Sequence, residues 1–214
     1  MFKKLYIILA ICLVITGCNK VDDQQIEKVV AQYLKNHPEV ITNAIDAIDG
    51  KATALDEKTV QLNLQKYQAD IFANPAIPTL GNEMATNVVA EFFDYNCGFC
   101  KKSLDNMLTL ANEHNTKILL IDLPILGDNS QLAAAASLAV HATEPSKYAD
   151  FHSKLMQHQG SCDKDVISAI LKEVGLDPEK ILAEAKTEKY AQILAKHVEI
   201  AQAIGINGTP SFIV

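Results

Sequence analysis

Two apolar runs constrain this chain most. Asn87–Phe93 (NVVAEFF) and residues 117–123 (KILLIDL) are short and rich in β-branched, aromatic and leucine side chains. Half-buried strands alternate apolar and polar residues, so runs apolar on both faces predict strands inside a parallel sheet. Residues 97–114 between them predict a helix, and strand–helix–strand is a right-handed crossover unit. From 130 to 205 everything reads as helical, with Asp163 as an N-cap and Asp177-Pro178 opening a helix. Residues 211–214 return to extended structure. The expected class is α/β: a crossover unit, an inserted helical bundle at about 130–205 and a closing strand. The 214 residues suffice for one sizeable core, or one domain with a small appendage.

Cys97-Gly98-Phe99-Cys100 stands where the first strand has ended and the helix begins. A cysteine at a helix N-terminus faces unpaired backbone N–H groups and the positive end of the helix dipole. Both favour thiolate over thiol and raise reactivity. Two intervening residues let the second cysteine curl under the first within one helical turn. Cys97 would then attack and Cys100 would resolve the mixed disulfide. Two other uses of such a pair stand beside this one. A structural disulfide closing so short a loop stabilises little. Half a zinc site lacks a second CxxC or a spaced histidine pair. No metal or cofactor is expected.

The N-terminus bears on the compartment. Lys3 and Lys4 precede an apolar run at 5–15, about the length of a signal-peptide core and too short to span a bilayer. Ile15-Thr16-Gly17-Cys18 looks like the lipobox of bacterial lipoproteins, in which the cysteine is lipidated and becomes the mature N-terminus. The alternative is a plain signal peptide with Cys18 incidental. Asn19 follows, rather than the aspartate that signals inner-membrane retention, which favours a periplasmic protein anchored in the outer membrane. Cys12 leaves with the signal, so Cys97, Cys100 and Cys162 remain. A close pair plus a spare is a redox set rather than a disulfide framework. The formal charge of −7, with no basic stripe, argues against nucleic-acid binding.

Between signal and sheet, the sequence predicts a tether at 18–25 and a helical arm at 26–78. Ile26, Val29, Val30, Tyr33 and Leu34 form one helix face, and His37-Pro38 interrupts it. Val40, Ile41, Ala44, Ile45 and Ile48 line a second helix, and Val60, Leu64, Tyr67 and Ile71 form a coiled-coil-like seam on a third at about 53–73. These helices pack either on the main domain or on copies of themselves. The second is expected, as a homodimer or homotrimer. The domain itself begins at 79.

The segment Glu91-Phe92-Phe93-Asp94-Tyr95-Asn96-Cys97-Gly98-Phe99-Cys100-Lys101 resembles the active site of DsbA-like thioredoxin-fold proteins. Residues 205–212 (GINGTPSF) resemble their cis-proline loop, and the arm resembles that of oligomeric forms such as ScsC and related surface lipoproteins. The resemblance implies a thiol–disulfide oxidoreductase acting on cysteines of exported proteins, served by a DsbB-like or DsbD-like redox partner. It implies that Pro210 is cis beside Cys97, and that Thr209 offers a backbone edge to a substrate peptide. Thr209 and the Gly98-Phe99 pair resemble the isomerase branch, so both oxidase and isomerase activity are expected. It further implies that Glu91 is a buried carboxylate exchanging a proton with Cys100. The rival class is a non-enzymatic surface lipoprotein or a copper-binding dithiol module. Lys101 and Lys102 read as a solvated face or as charge near the thiolate. His152 and His158 could face a cleft but read rather as surface residues, and Cys162 as an exposed loop thiol. The family continues beyond Pro210 with more strand and a helix, so the chain reads as truncated at its C-terminus.

Overall fold

The computed structural model describes residues 23–49 and 55–214, which fall into two units divided between Ala54 and Leu55. The expected signal segment and Cys18 lie outside the described residues. In the first unit, α1 (Asp23–Asn36) and α2 (Glu39–Asp49) meet at His37-Pro38. The tether expected at 18–25 is therefore already helical from Asp23. The His37 N–H bonds to the Tyr33 carbonyl at 2.9 Å, and its ring lies 4.6 Å from that of Tyr33. Ile26, Val29, Val30 and Tyr33 are all exposed on α1, Val29 at 68 %.

The second unit opens with α3 (Glu57–Phe72), whose N-cap Asp56 accepts from the Thr59 N–H at 3.0 Å and from its hydroxyl at 2.7 Å. Then come β1 (Thr79–Gly81), β2 (Asn87–Phe93), α4 (Gly98–Glu113) and β3 (Thr116–Asp122). The helical insertion follows as α5 (Asp128–Thr143), α6 (Pro145–Gln157), α7 (Lys164–Glu173), α8 (Pro178–Ala185) and α9 (Glu188–Ala203), and β4 (Ser211–Ile213) returns to the sheet. The insertion's helix starts are set locally. The carboxyl of Asp163 accepts from the Asp165 and Val166 N–H groups at 3.0 Å, and Pro145 and Pro178 open their helices. Small buried residues on α5, among them Ala133, Ala136, Ser137 and Ala139, let its neighbours approach closely.

The sheet order is β1-β3-β2-β4. β2 and β3 are parallel, with Phe93 opposite Asp122; β1 is antiparallel to β3, and β4 to β2, with Glu91 opposite Phe212. Both faces of β2 and β3 are covered, which is why neither run alternates. Val89, Phe93, Ile118 and Leu120 pack with α4 and the insertion, while Ala90, Phe92, Leu119 and Ile121 pack with Ile77, α3 and α9. β1 is too short to show a period in the sequence. Gly81 ends it at φ +85°, where a Cβ would stand 2.3 Å from the Thr116 carbonyl oxygen, so the β1–β3 contact requires glycine there.

The structure differs from the expectation for α3. Tyr67 and Ile71 are buried in the sheet's second face, with Leu64 packed against them, and Gly205 lies near Val60. The Tyr67 hydroxyl donates to Glu199 at 2.8 Å and the Asn63 side chain donates to the Ala203 carbonyl. The four-and-three spacing read as a self-association seam serves a helix that covers its own domain, whose first element is thus α3 rather than residue 79.

Candidate active site

β2 ends at Phe93, and the next three residues are pinned. Asp94 is buried and its carboxylate accepts four hydrogen bonds: Asn96 N–H and Ser130 hydroxyl at 2.7 Å, Ile125 N–H at 3.0 Å and Leu126 N–H at 3.1 Å. The Asn96 side chain donates to Ser130 Oγ at 3.0 Å and accepts from the Cys162 N–H at 2.7 Å. This brace hands the chain to α4 with Cys97 as its N-cap, Sγ accepting from the Cys100 N–H at 3.4 Å. The cis Thr209–Pro210 bond lies alongside, with Cys97 Sγ 3.2 Å from the Thr209 carbonyl oxygen, to which the thiol donates.

The two thiols are free and differ in character. Cys97 is 6 % exposed, and burial alone pushes it up. Side-chain hydrogen bonds from Thr209 and Cys100 and the backbone N–H groups of Cys100 and Phe99 outweigh that and hold it below the usual thiol range. Cys100 is fully buried, and burial pushes it up to about 12. Phe99 stands out at 72 % exposure. Gly98 is exposed, and a Cβ there would meet nothing within 4 Å. A groove of about 640 Å³ flanks the cysteine, lined by Asn96, Gly98, Lys101, Leu126, Asn129 and Ser161.

Glu91 lies on the α4 face of the sheet at 3 % exposure, and burial raises its carboxyl to about 7. Its side-chain partner is Ser103, whose hydroxyl lies 3.1 Å from Glu91 Oε1 and 2.8 Å from the Cys100 carbonyl oxygen. Ser103 joins Glu91 to the Cys100 residue and was invisible in the sequence, because the two positions meet only when α4 folds onto β2. Asp122 was missed for the same reason. It is a second acid on that face, both its oxygens lack a hydrogen-bond partner among the described residues, and burial pushes it well above the usual carboxylate range.

Three expectations are corrected. Cys162 is not an exposed loop thiol: it is 0 % exposed, with Sγ against the Leu155 and Tyr95 carbonyls at 3.5 and 3.6 Å. Lys101 is half-buried and held rather than free on a solvated face: its Nζ donates to the His158 and Gly160 carbonyls at 2.8 and 2.7 Å and lies 3.8 Å from Cys162 Sγ, tying α4 to that loop. His152 is not on the surface: it is buried among Phe93, Tyr95 and Tyr148, with Nδ1 2.9 Å from the Tyr95 hydroxyl, and burial lowers it to about 3. Lys102 stands over the Phe99 ring at 5.4 Å. Among the described residues, no cluster of three or more His, Cys, Asp or Glu is placed to hold a metal ion, and no helix is long and apolar enough to cross a membrane.

A low and a high thiol at a helix start beside a cis-proline can break and form disulfides, and the comparisons agree. Disulfide bond formation protein D of Bacillus subtilis is 27 % identical over 148 residues, 64 % of this chain and 67 % of that protein. The thiol-disulfide exchange protein alpha-DsbA2 of Wolbachia pipientis superposes with a TM-score of 0.67 at 31 % identity, covering 75 % of this chain and 87 % of that one. The compact conformation of Proteus mirabilis ScsC superposes with a TM-score of 0.63 at 25 % identity, covering 89 % of this chain and 94 % of that one. Residues 88–214 match the DSBA-like thioredoxin domain, so this chain is a member of the DsbA-like family of thioredoxin-fold thiol–disulfide oxidoreductases.

Proposed function

We propose that this oxidoreductase exchanges disulfides with cysteines of exported proteins through a mixed disulfide at Cys97. The carrying observation is the opposite displacement of the two thiols, Cys97 held down and Cys100 pushed up to about 12. Cys97 is then the attacking and leaving sulfur, and Cys100 is the resolving thiol that stays protonated until it acts. Glu91, raised to about 7, takes the Cys100 proton or returns it. Gly98 and Phe99 present an open approach, and a substrate peptide pairs along the backbone at Thr209-Pro210.

A stabilised Cys97 thiolate favours the reduced enzyme and hence oxidation of substrates. Threonine before the cis-proline suits rearrangement, so isomerase activity accompanies it. Charge at 3–4, the apolar run and Cys18 support an exported, lipid-anchored protein at the outer membrane, served by a DsbB-like or DsbD-like partner. The exposed apolar side chains of α1 support a homodimer or homotrimer.

The test is in cells. Cys100→Ala leaves the mixed disulfide unresolved, so dithiothreitol-sensitive adducts with exported proteins accumulate, and Cys97→Ser abolishes them. Equal adduct levels with and without Cys97 would remove the mechanism. Alkylating Cys97 and Cys100 in the same cells reads the direction of flow: a fully oxidised pair argues against the isomerase role.

A further inference from the structure

We infer that Ser103 is the positioning residue of Glu91, a hydroxyl that donates to the carboxylate in one protonation state and accepts from the carboxylic acid in the other, with the Cys100 carbonyl as its alternative acceptor. The inference rests on the relay role proposed for Glu91 and adds the residue that lets it work.

The geometry carries it. A serine hydroxyl has one hydrogen and two lone pairs. Ser103 Oγ lies 3.1 Å from Glu91 Oε1 and 2.8 Å from the Cys100 carbonyl oxygen, so two acceptors compete for one hydrogen. When Glu91 is ionised, the charge-assisted bond is the stronger, and the hydrogen points to the carboxylate. When Glu91 is protonated, its own O–H donates to Ser103 Oγ, and the serine hydrogen turns to the Cys100 carbonyl. Both states are then hydrogen-bonded with no heavy atom displaced. That matters for an acid 3 % exposed, since an unpartnered charge there would be strongly disfavoured.

The surroundings leave Ser103 the task. Burial raises Glu91, and the Ser103 hydrogen bond is what lowers it again, to about 7. No cation among the described residues offsets the burial. The titratable groups on that side of the sheet are Cys100 of α4, Asp122 of β3, Tyr95 after β2, and Tyr148 and His152 of α6. Burial pushes the thiol, the carboxyl and the two phenols up and His152 down to about 3, so none supplies positive charge.

In the step served, the Cys100 thiol gives its proton to the Glu91 carboxylate. Its sulfur attacks Cys97 Sγ, the Cys97–Cys100 bond forms, and the bond from Cys97 to the substrate sulfur breaks. The substrate leaves as a thiolate with the electron pair and takes a proton from solvent. Overall the enzyme dithiol is oxidised by two electrons and the substrate disulfide is reduced. In the oxidising direction, protonated Glu91 returns its proton to Cys100 as that sulfur leaves.

The test mixes reduced full-length protein with glutathione disulfide from pH 5 to 9. Acid quench and mass spectrometry follow conversion of the Cys97–glutathione adduct to the internal disulfide. Removing a hydrogen bond to a charged group raises the Glu91 midpoint by about one pH unit, so Ser103→Ala slows conversion about fivefold at pH 7. Carbon-13 NMR of the Glu91 carboxyl shows the same shift. Ser103→Thr keeps the hydroxyl and restores the midpoint, which a purely structural defect would not allow. Glu91→Gln is slow at every pH, and adding Ser103→Ala to it changes nothing. If Glu91→Gln is slow and Ser103→Ala titrates like the wild type, the inference about Ser103 is wrong and the relay stands. If Glu91→Gln keeps the wild-type profile, the relay role fails and this inference fails with it.

Discussion

Glu91 is buried between Ala90 and Phe92 in a largely apolar strand, and that placement has a thermodynamic consequence. Its carboxyl titrates near 4.5 when unfolded and near 7 when folded. Between those values the folded chain holds a proton that the unfolded chain has released, so stability falls as pH rises through this window and stays lower above it. Glu91→Gln removes that loss. Its expected effect is a stabilisation on the order of 3 kcal/mol at pH 8 that vanishes near pH 4, read by chemical denaturation at the two pH values. A stabilisation that does not change with pH would sink the assignment. His152 acts in the opposite sense: lowered from 6.5 to about 3, it leaves the unfolded chain binding the extra proton, so stability is lost as pH falls below 6.5. At this scale Cys97 and Cys100 were legible because a helix start imposes their chemistry locally. Ser103, Asp122 and buried Cys162 were not, because each depends on a partner element distant in sequence.

Among the elements, α3 shows how an apolar period can be right while its partner is wrong. A period of four and three residues says that one face of a helix is buried, and says nothing of what covers it. Here α3 covers Ala90, Phe92, Leu119 and Ile121 of its own sheet. A chain beginning at Leu55 is therefore expected to fold cooperatively, whereas one beginning at Thr79 exposes that face and loses stability. Ile71→Ala, at 1 % exposure, is expected to cost about 2–5 kcal/mol in the chain from Leu55. Equal unfolding midpoints for the two truncations would show that α3 is dispensable to the domain. β2, α4, β3 and the starts of α7 and α8 were read correctly, because run length, capping aspartates and Asp-Pro signals are local. β1 was not, since its three residues are a strand only through pairing with β3.

For the whole molecule, the expected assembly rests on the first unit. With α3 assigned to the domain, the exposed apolar face that supports self-association is that of α1. Ile26, Val29, Val30 and Tyr33 are exposed, and burying each is worth roughly 1.5–3 kcal/mol before the entropy of association is subtracted. A chain beginning at Asn19 is expected to sediment as a dimer or trimer and one beginning at Leu55 as a monomer. If both sediment as monomers, the arm does not drive assembly.

The sequence by itself determined the α/β class, the crossover unit, the inserted helices and the dithiol at a helix start. Each follows from interactions within a few residues: apolar period, capping, and the field at a helix terminus. Tertiary structure alone decided that α3 belongs to the domain, that Lys101 ties the active-site helix to the loop at 158–162, and that Cys162 and His152 are buried. It also decided that Ser103 stands between Glu91 and Cys100. Burial and hydrogen-bond partnership are properties of two surfaces brought together, and a chain read in order specifies only one of them at a time.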